Sequence, residues 1–207
     1  MKPLAPNRSH GLTLIELLVA MFLASILLLG LVQLLSAAGS AARLQDNQAA
    51  LQDRARFTAN LLAASAGQAG FSPQPWNADM QRVAVAPKTE DGVSAHGDRL
   101  VLSTWSDRNC FENANPDRDD DGKPRFYIRE STFDLHASGH LARSCRYGPA
   151  PDRLDPQVRR QGLVPGVESV ECLFVLDSDG DGNVDQWVRA GQWPDEKQVI
   201  GIRAALL

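Results

Sequence analysis

Hydrophobic and polar positions divide this chain into two regimes. Residues 12–35 read LTLIELLVAMFLASILLLGLVQLL, an apolar run whose single charge is Glu16. As a helix rising about 1.5 Å per residue it spans roughly 36 Å, enough to cross a hydrocarbon core of about 30 Å. Past residue 36 the pattern becomes amphipathic. Leu44, Leu51 and Thr58 recur at sevens, and Phe57 and Leu61 lie four apart on an adjacent stripe, while Arg43, Asp46, Gln48, Asp53, Arg54 and Arg56 are polar. One long helix over residues 13–64 is predicted, with one face of its second half available to a core. Gly30 and Gly39 weaken it locally, and Gly67, Gly70 and Pro73 should end it. Beyond residue 70, short apolar runs alternate with Gly, Pro, Asn and Asp clusters. Residues 82–86, 99–105, 125–132, 167–176, 185–190 and 198–206 read as strands of an antiparallel sheet. In the fourth, Val170, Cys172, Phe174 and Leu176 fall on one face at period two, and residues 149–162 read as an exposed loop. The expected fold class is therefore α+β: a long N-terminal transmembrane and amphipathic helix packed on an antiparallel β-sheet. The expected division is a leader at 1–11, a membrane half-helix at 12–35, an amphipathic half-helix at 36–64 and a β-rich globular domain at 65–207.

Composition changes this picture little. The 207 residues are 43% apolar and 22% charged with three cysteines, which excludes collagen, low-complexity disorder and a dense disulfide scaffold. A formal charge of -4 offers no global reason to expect a nucleic-acid partner. Local charge says more. The leader carries Lys2 and Arg8 and no acid, so the N-terminus is expected to stay cytoplasmic, with the globular part on the far side of the inner membrane. A cleaved secretory signal would have a shorter apolar region, and the small-residue run at 36–42 supports that alternative only weakly. Glu16 is the costly feature: a carboxylate at mid-bilayer costs about 2.5–3.5 kcal/mol on insertion scales, so it needs either the interface or a partner.

Gly11, Leu12, Thr13, Leu14, Ile15, Glu16 and Leu17 resemble the prepilin signature of type IV pilins and type II secretion pseudopilins. The resemblance implies that a membrane aspartyl peptidase, the prepilin peptidase, cuts between Gly11 and Leu12 and methylates the new amine of Leu12. It also implies a role for Glu16. The released amine is a cation that must enter an apolar filament core, and a buried charge needs compensation. Glu16 would pair with the amino terminus of a neighbouring subunit and set its register during assembly. The runs LQDRARFTANLLAASAGQAGF at 51–71 and GLVPGVESVECLFVLDSDGDGNVDQWV at 162–188 are similar to PilW-type minor pilins, with residues 72–124 matched loosely. That likeness implies a pilin-like fold and partnership with other minor pilins, the major pilin and the inner-membrane assembly platform. It further implies a place first in the membrane and then in a pilus, supporting adhesion and twitching motility. A pseudopilin of type II secretion and a tethered, non-polymerising periplasmic calcium-binding module are the alternatives. The strand at 199–207 stops where the family leads one to expect a further segment.

Other motifs carry candidate chemistry. In DSDGDGNVD, Asp177, Asp179, Asp181 and Asp185 take positions one, three, five and nine of an EF-hand-type loop, with Gly182 at six and the carbonyl of Asn183 at seven. Position twelve is Val188, so the bidentate glutamate is missing and any calcium would be held more weakly. The competing reading is an Asp-Gly hairpin tip whose acids are solvated. Asp117, Asp119 and Asp121 repeat the DxDxDG spacing, but Lys123 and Arg125 follow and favour a solvated turn. Cys110 and Cys145 lie in polar, loop-rich stretches and form the natural disulfide, leaving Cys172 as a small hydrophobe in an apolar strand, although other pairings remain open. His136 and His140 bracket Ala-Ser-Gly and suggest a hairpin turn rather than a zinc site. Arg143, Arg146, Arg153, Arg159 and Arg160 are the one basic concentration, and interspersed Asp152 and Asp155 favour a solvated surface or subunit contact, with no nucleic acid expected. No hydrolase, metalloprotease, nucleotide-binding or dinucleotide-binding motif is present, no organic cofactor is implied, and the expected class is structural rather than enzymatic.

Overall fold

The computed structural model describes residues 13–80, 84–94, 97–155 and 159–207. The chain falls into two compact units, Met1–Asp53 and Arg54–Leu207. Helix α1 (Leu14–Gln68) is a single unbroken helix of 55 residues, so neither Gly30 nor Gly39 interrupts it. Its end lies at Gln68, one turn beyond the predicted residue 64. The amide of Ala69 is shared between the carbonyls of Ser65 and Ala66, and Gly70, at φ 72, takes the left-handed conformation that closes many helices. The Gly70 amide then donates to the Ser103 carbonyl at 2.8 Å, tying the helix end to the sheet.

The predicted stripe needs correction. Leu44 and Leu51 are exposed, and Phe57 is half exposed. Within Arg54–Leu207, it is Thr58 that is buried, and Leu61, Leu62 and Ala69 that pack against the core. Within that unit, the last turns of α1 supply the sheet-facing surface.

Eight strands follow: β1 (Glu90–Ser94), β2 (Gly97–Ser106), β3 (Tyr127–His136), β4 (His140–Gly148), β5 (Arg159–Pro165), β6 (Val170–Leu176), β7 (Gln186–Val188) and β8 (Val199–Leu206). They form one sheet in the order β5-β4-β3-β2-β6-β7, with β1 also paired to β2 and β8 to β6. Every pairing is antiparallel except the contact of β2 with β6. This is the α+β arrangement expected from the sequence. Of the predicted strand at 82–86 only 84–86 are described, where Val85 makes an isolated bridge to Leu102. The loop predicted at 149–162 is shorter than expected, because Arg159 opens β5.

The period-two reading of β6 holds over its first five residues: Val170, Cys172, Phe174 and Leu176 are buried and Glu171 and Leu173 are not, but Val175, expected on the outer face with them, is buried as well. Val170, Cys172, Phe174 and Leu176 join Leu100, Leu102, Phe133, Leu141 and Val164 in the core. Phe174 adds an edge-on contact to Trp193 with ring centroids 4.9 Å apart.

The two halves of the sheet meet at one backbone pair, Gly97 with Val170, the parallel contact of β2 with β6. Gly97 sits at φ 110, and a Cβ there would lie 2.2 Å from the Val170 carbonyl oxygen, so the junction requires glycine. Asp98 supplies what so short a ladder lacks. Its carboxylate is buried and accepts from the Cys172 amide at 2.7 Å and the Gly92 amide at 2.9 Å, linking β6, β2 and β1.

Cys110 and Cys145 form a disulfide, Cα atoms 5.8 Å apart, that fastens the loop after β2 to β4. Closing a loop with this separation of 35 residues is worth about 4 kcal/mol through the unfolded chain. Cys172 is a buried free thiol, and burial, reinforced by the charges of Asp98 and Glu171, pushes it up to about 12.

Two predictions follow from this packing. Asp98→Ala leaves the Cys172 and Gly92 amides without their acceptor and should cost about 2–4 kcal/mol, read as a lower urea midpoint with an unchanged slope; an unchanged midpoint would remove the junction from the account. At pH 8 the raised Cys172 is almost entirely thiol, so the native chain should not react with a thiolate-specific reagent. Unfolding without reductant should then expose one thiol and leave a Cys110–Cys145 cross-linked peptide, whereas two or more reactive thiols in the native state would contradict the assignment.

Candidate functional site

The first candidate is the start of α1. Thr13 precedes the helix and its carbonyl accepts the Leu17 amide at 3.2 Å, so it is the N-cap. Glu16 stands three residues on. Its Oε2 accepts from the Thr13 amide at 3.3 Å and from the Thr13 hydroxyl at 3.2 Å, while the Glu16 amide donates to Thr13 Oγ1 at 3.4 Å. This is a reciprocal capping box, T-x-x-E, and it places a carboxylate at the positive end of the helix dipole. The motif was legible in Thr13-Leu14-Ile15-Glu16, but reading Glu16 as an intruder in an apolar run obscured its local role. Gly11 and Leu12, the proposed cleavage and methylation positions, lie outside the described residues. From Leu14 to Leu35 the large apolar side chains are at least half exposed, with Leu14 at 79% and Ile15 at 71%. By length and composition α1 can cross a membrane.

The second candidate is the turn between β6 and β7. Carboxylate oxygens of Asp177, Asp179 and Asp185 lie within 4.8 Å of one another. Asp177 is buried, and the loop folds around it: Oδ1 accepts from the amides of Gly180 at 2.7 Å and Asp181 at 3.1 Å, and Oδ2 from the amide of Gly182 at 2.9 Å. Gly180 and Gly182, at φ 80 and 86, supply the left-handed turns that aim these amides inward. Asp185 Oδ2 accepts from the Ser178 amide at 2.6 Å. The carboxylate of Asp181 does not join the group. Asp181 accepts instead from the Asn183 side-chain and backbone amides, and these bonds hold its carboxyl below the usual range. The turn is thus a hairpin tip whose backbone amides hold three acids close together.

The second acidic turn is organised differently. Asp119 Oδ1 accepts from the amides of Asp121 at 3.1 Å and Lys123 at 2.8 Å. Asp117 turns away to accept the Tyr127 hydroxyl at 2.6 Å. Burial of the phenol, and then that bond, push Tyr127 up to about 12. Among the described residues, Asp117, Asp119 and Asp121 do not converge as Asp177, Asp179 and Asp185 do.

His136 and His140 face each other across the tip of the β3–β4 hairpin, with Gly139 at φ 71 making the turn, and both ring Nδ1 atoms reach Ser138. Within the basic concentration Arg153 is exposed, while others are engaged by neighbouring strands. Arg146 pairs with Glu130 at 2.8 Å and Arg160 with Asp134 at 2.8 Å, both across adjacent strands or their neighbours, while Arg143 is half-buried.

Residues 6–32 match the family model described as the prokaryotic N-terminal methylation motif. That match supports a type IV pilin-like or pseudopilin-type protein, which in general meets a prepilin peptidase and pilin assembly machinery. With the apolar helix it is consistent with membrane anchoring. No curated protein and no solved structure matches the chain.

Proposed function

We propose that this chain is a minor pilin of the PilW type, cut after Gly11, methylated at Leu12 and incorporated near the tip of a type IV pilus. There it joins other minor pilins in priming assembly of the major pilin, supporting adhesion and twitching motility. The observation that carries this reading is the position of Glu16. It is the single carboxylate in the apolar run at 12–35, four residues after Leu12 and inside the matched methylation motif. Its carboxylate is held by Thr13, and cleavage after Gly11 would put a new amino terminus four residues earlier in the chain. The carboxylate can exchange its local bonds for the amine of a neighbouring subunit, which compensates both charges as they leave water. Force for assembly comes from other components of the machinery, and the role proposed here is structural.

The same reading includes calcium at the β6–β7 turn. Three carboxylates crowded within 4.8 Å repel one another, and a hard divalent cation with a preference for oxygen ligands relieves that repulsion. With the acid at position twelve missing, affinity belongs in the weak range of extracellular modules, about 10⁻⁴–10⁻³ M.

Clean deletion with complementation, scored in parallel for surface pili and secreted proteins, tests the functional reading. Loss of pili with normal secretion is expected, together with failure of Glu16→Ala to restore them. Lost secretion with intact pili would assign a secretion pseudopilin instead, and full rescue by Glu16→Ala would leave a tethered module that does not polymerise. For calcium, the full chain in detergent should melt higher by roughly 3–6 °C at ten times the dissociation constant, corresponding to about 1.4 kcal/mol. Asp177→Asn should abolish the gain, and identical melting with millimolar calcium and with chelator would remove the ion.

A further inference from the structure

Where the end of α1 meets β2, β3 and β4 there is a small cleft of about 20 Å³, lined by Ser65, Gln68, Thr104, Ser131, Arg129 and Arg143. Its two arginines are unusually placed. Arg129 has a side chain only 12% exposed, donates from Nη1 to Glu112 Oε1 at 3.1 Å and reaches Gln68 Oε1 at 3.5 Å. Arg143 donates from Nη2 to the Ser131 hydroxyl at 2.9 Å, and among the described residues no carboxylate lies within ion-pairing distance of it. The Nε–H groups of both arginines are buried without a protein acceptor.

Charge and donor count therefore agree. Two guanidinium groups share one carboxylate, and that carboxylate, Glu112, is largely exposed. Burial, followed by repulsion from Arg129, lowers Arg143 from its ordinary value, which places the two cations close enough to disfavour each other. An arginine cannot relieve such a position by losing its proton under ordinary conditions, so a half-buried guanidinium with no carboxylate partner of its own favours an anion beside it. A cleft of this size holds one water-sized group. Water could accept the unpaired N–H donors but would leave the like charges uncompensated, whereas phosphate or sulfate exceeds both the space and the single excess charge.

We propose that this cleft binds a small monovalent anion of chloride's size, held between Arg129 and Arg143 and fixing the end of α1 against the sheet. The bound anion neutralises the excess guanidinium charge and accepts the free donors. Because Ser65 and Gln68 belong to α1 and the arginines to β3 and β4, occupancy stabilises the packing of these elements on one another.

The test uses the full chain in non-ionic detergent, with chloride, acetate or gluconate as the anion at constant ionic strength. Melting followed by tryptophan fluorescence should rise by a few degrees and saturate with chloride, and should not rise with acetate or gluconate. Arg143→Gln should abolish that dependence. Should that variant fail to fold, Arg143→Lys, which keeps the charge but loses the fork, must raise the chloride midpoint by about tenfold. Protein-dependent broadening of the chloride NMR line, displaced by bromide, gives an independent readout on the unaltered chain. Identical melting in chloride and gluconate, a dependence that survives in Arg143→Gln, or no excess line width would overturn the proposal. A rise with acetate alone would overturn the halide and assign the cleft to a carboxylate.

Discussion

An apolar helical surface must be removed from water, and the first part of α1 is apolar on every side. From Leu14 to Leu35 the large hydrophobic residues are at least half exposed, and burying each is worth roughly 1.5–3 kcal/mol. A hydrocarbon layer would provide that burial, and in the proposed filament packed subunit helices would provide it. The capping box follows from the same constraint. At the end of a helix the first amides need acceptors, and in an apolar setting water cannot supply them. Thr13 and Glu16 meet that need locally, and under the proposed function the same carboxylate would meet a neighbour's amine.

The globular unit is organised around a different scarcity. Its sheet is continuous only because Gly97 lets β2 approach Val170 and because Asp98 replaces missing ladder acceptors with a carboxylate. The turn after β6 uses the same chemistry, with Asp177 gathering three loop amides. In both places a buried aspartate organises backbone donors that have no strand partner. At the β6–β7 turn, however, two further carboxylates face the first, which is what makes that turn a candidate for an ion rather than a structural knot alone.

Elements dominated by one physical signal were legible from the residues. The apolar half of α1 followed from length and hydropathy, β6 from alternation over residues 170–174, and the β3–β4 turn from Ser-Gly between histidines. Strand β4 escaped because His140-Leu-Ala-Arg-Ser-Cys-Arg-Tyr-Gly mixes polar and apolar residues on both faces, and its polar side chains are covered by neighbours such as Glu130 and Ser131. Strand β5 contains Gly162 and ends at Pro165, which read as loop chemistry, yet as an edge strand it needs only one partner and absorbs its irregularity in a bulge opposite Leu141 and Ala142. Strand β1 hid in Glu90-Asp-Gly-Val-Ser for similar reasons. Convergence of Asp177, Asp179 and Asp185 was readable in the spacing, but the withdrawal of Asp181 was not. It depends on Asn183 competing for the carboxylate, a local preference that ligand counting omits.

The account turns on the chain becoming a mature subunit whose first residue is Leu12, with Glu16 one turn behind its amine. Intact-mass and N-terminal peptide analysis of the protein purified from native membranes tests this most directly. A terminus at Leu12 bearing a single added methyl group is the predicted result. A retained leader, or a terminus within the small-residue run at 36–42, would contradict it, because the apolar helix would then be an ordinary anchor or a discarded signal and Glu16 would have no amine to meet.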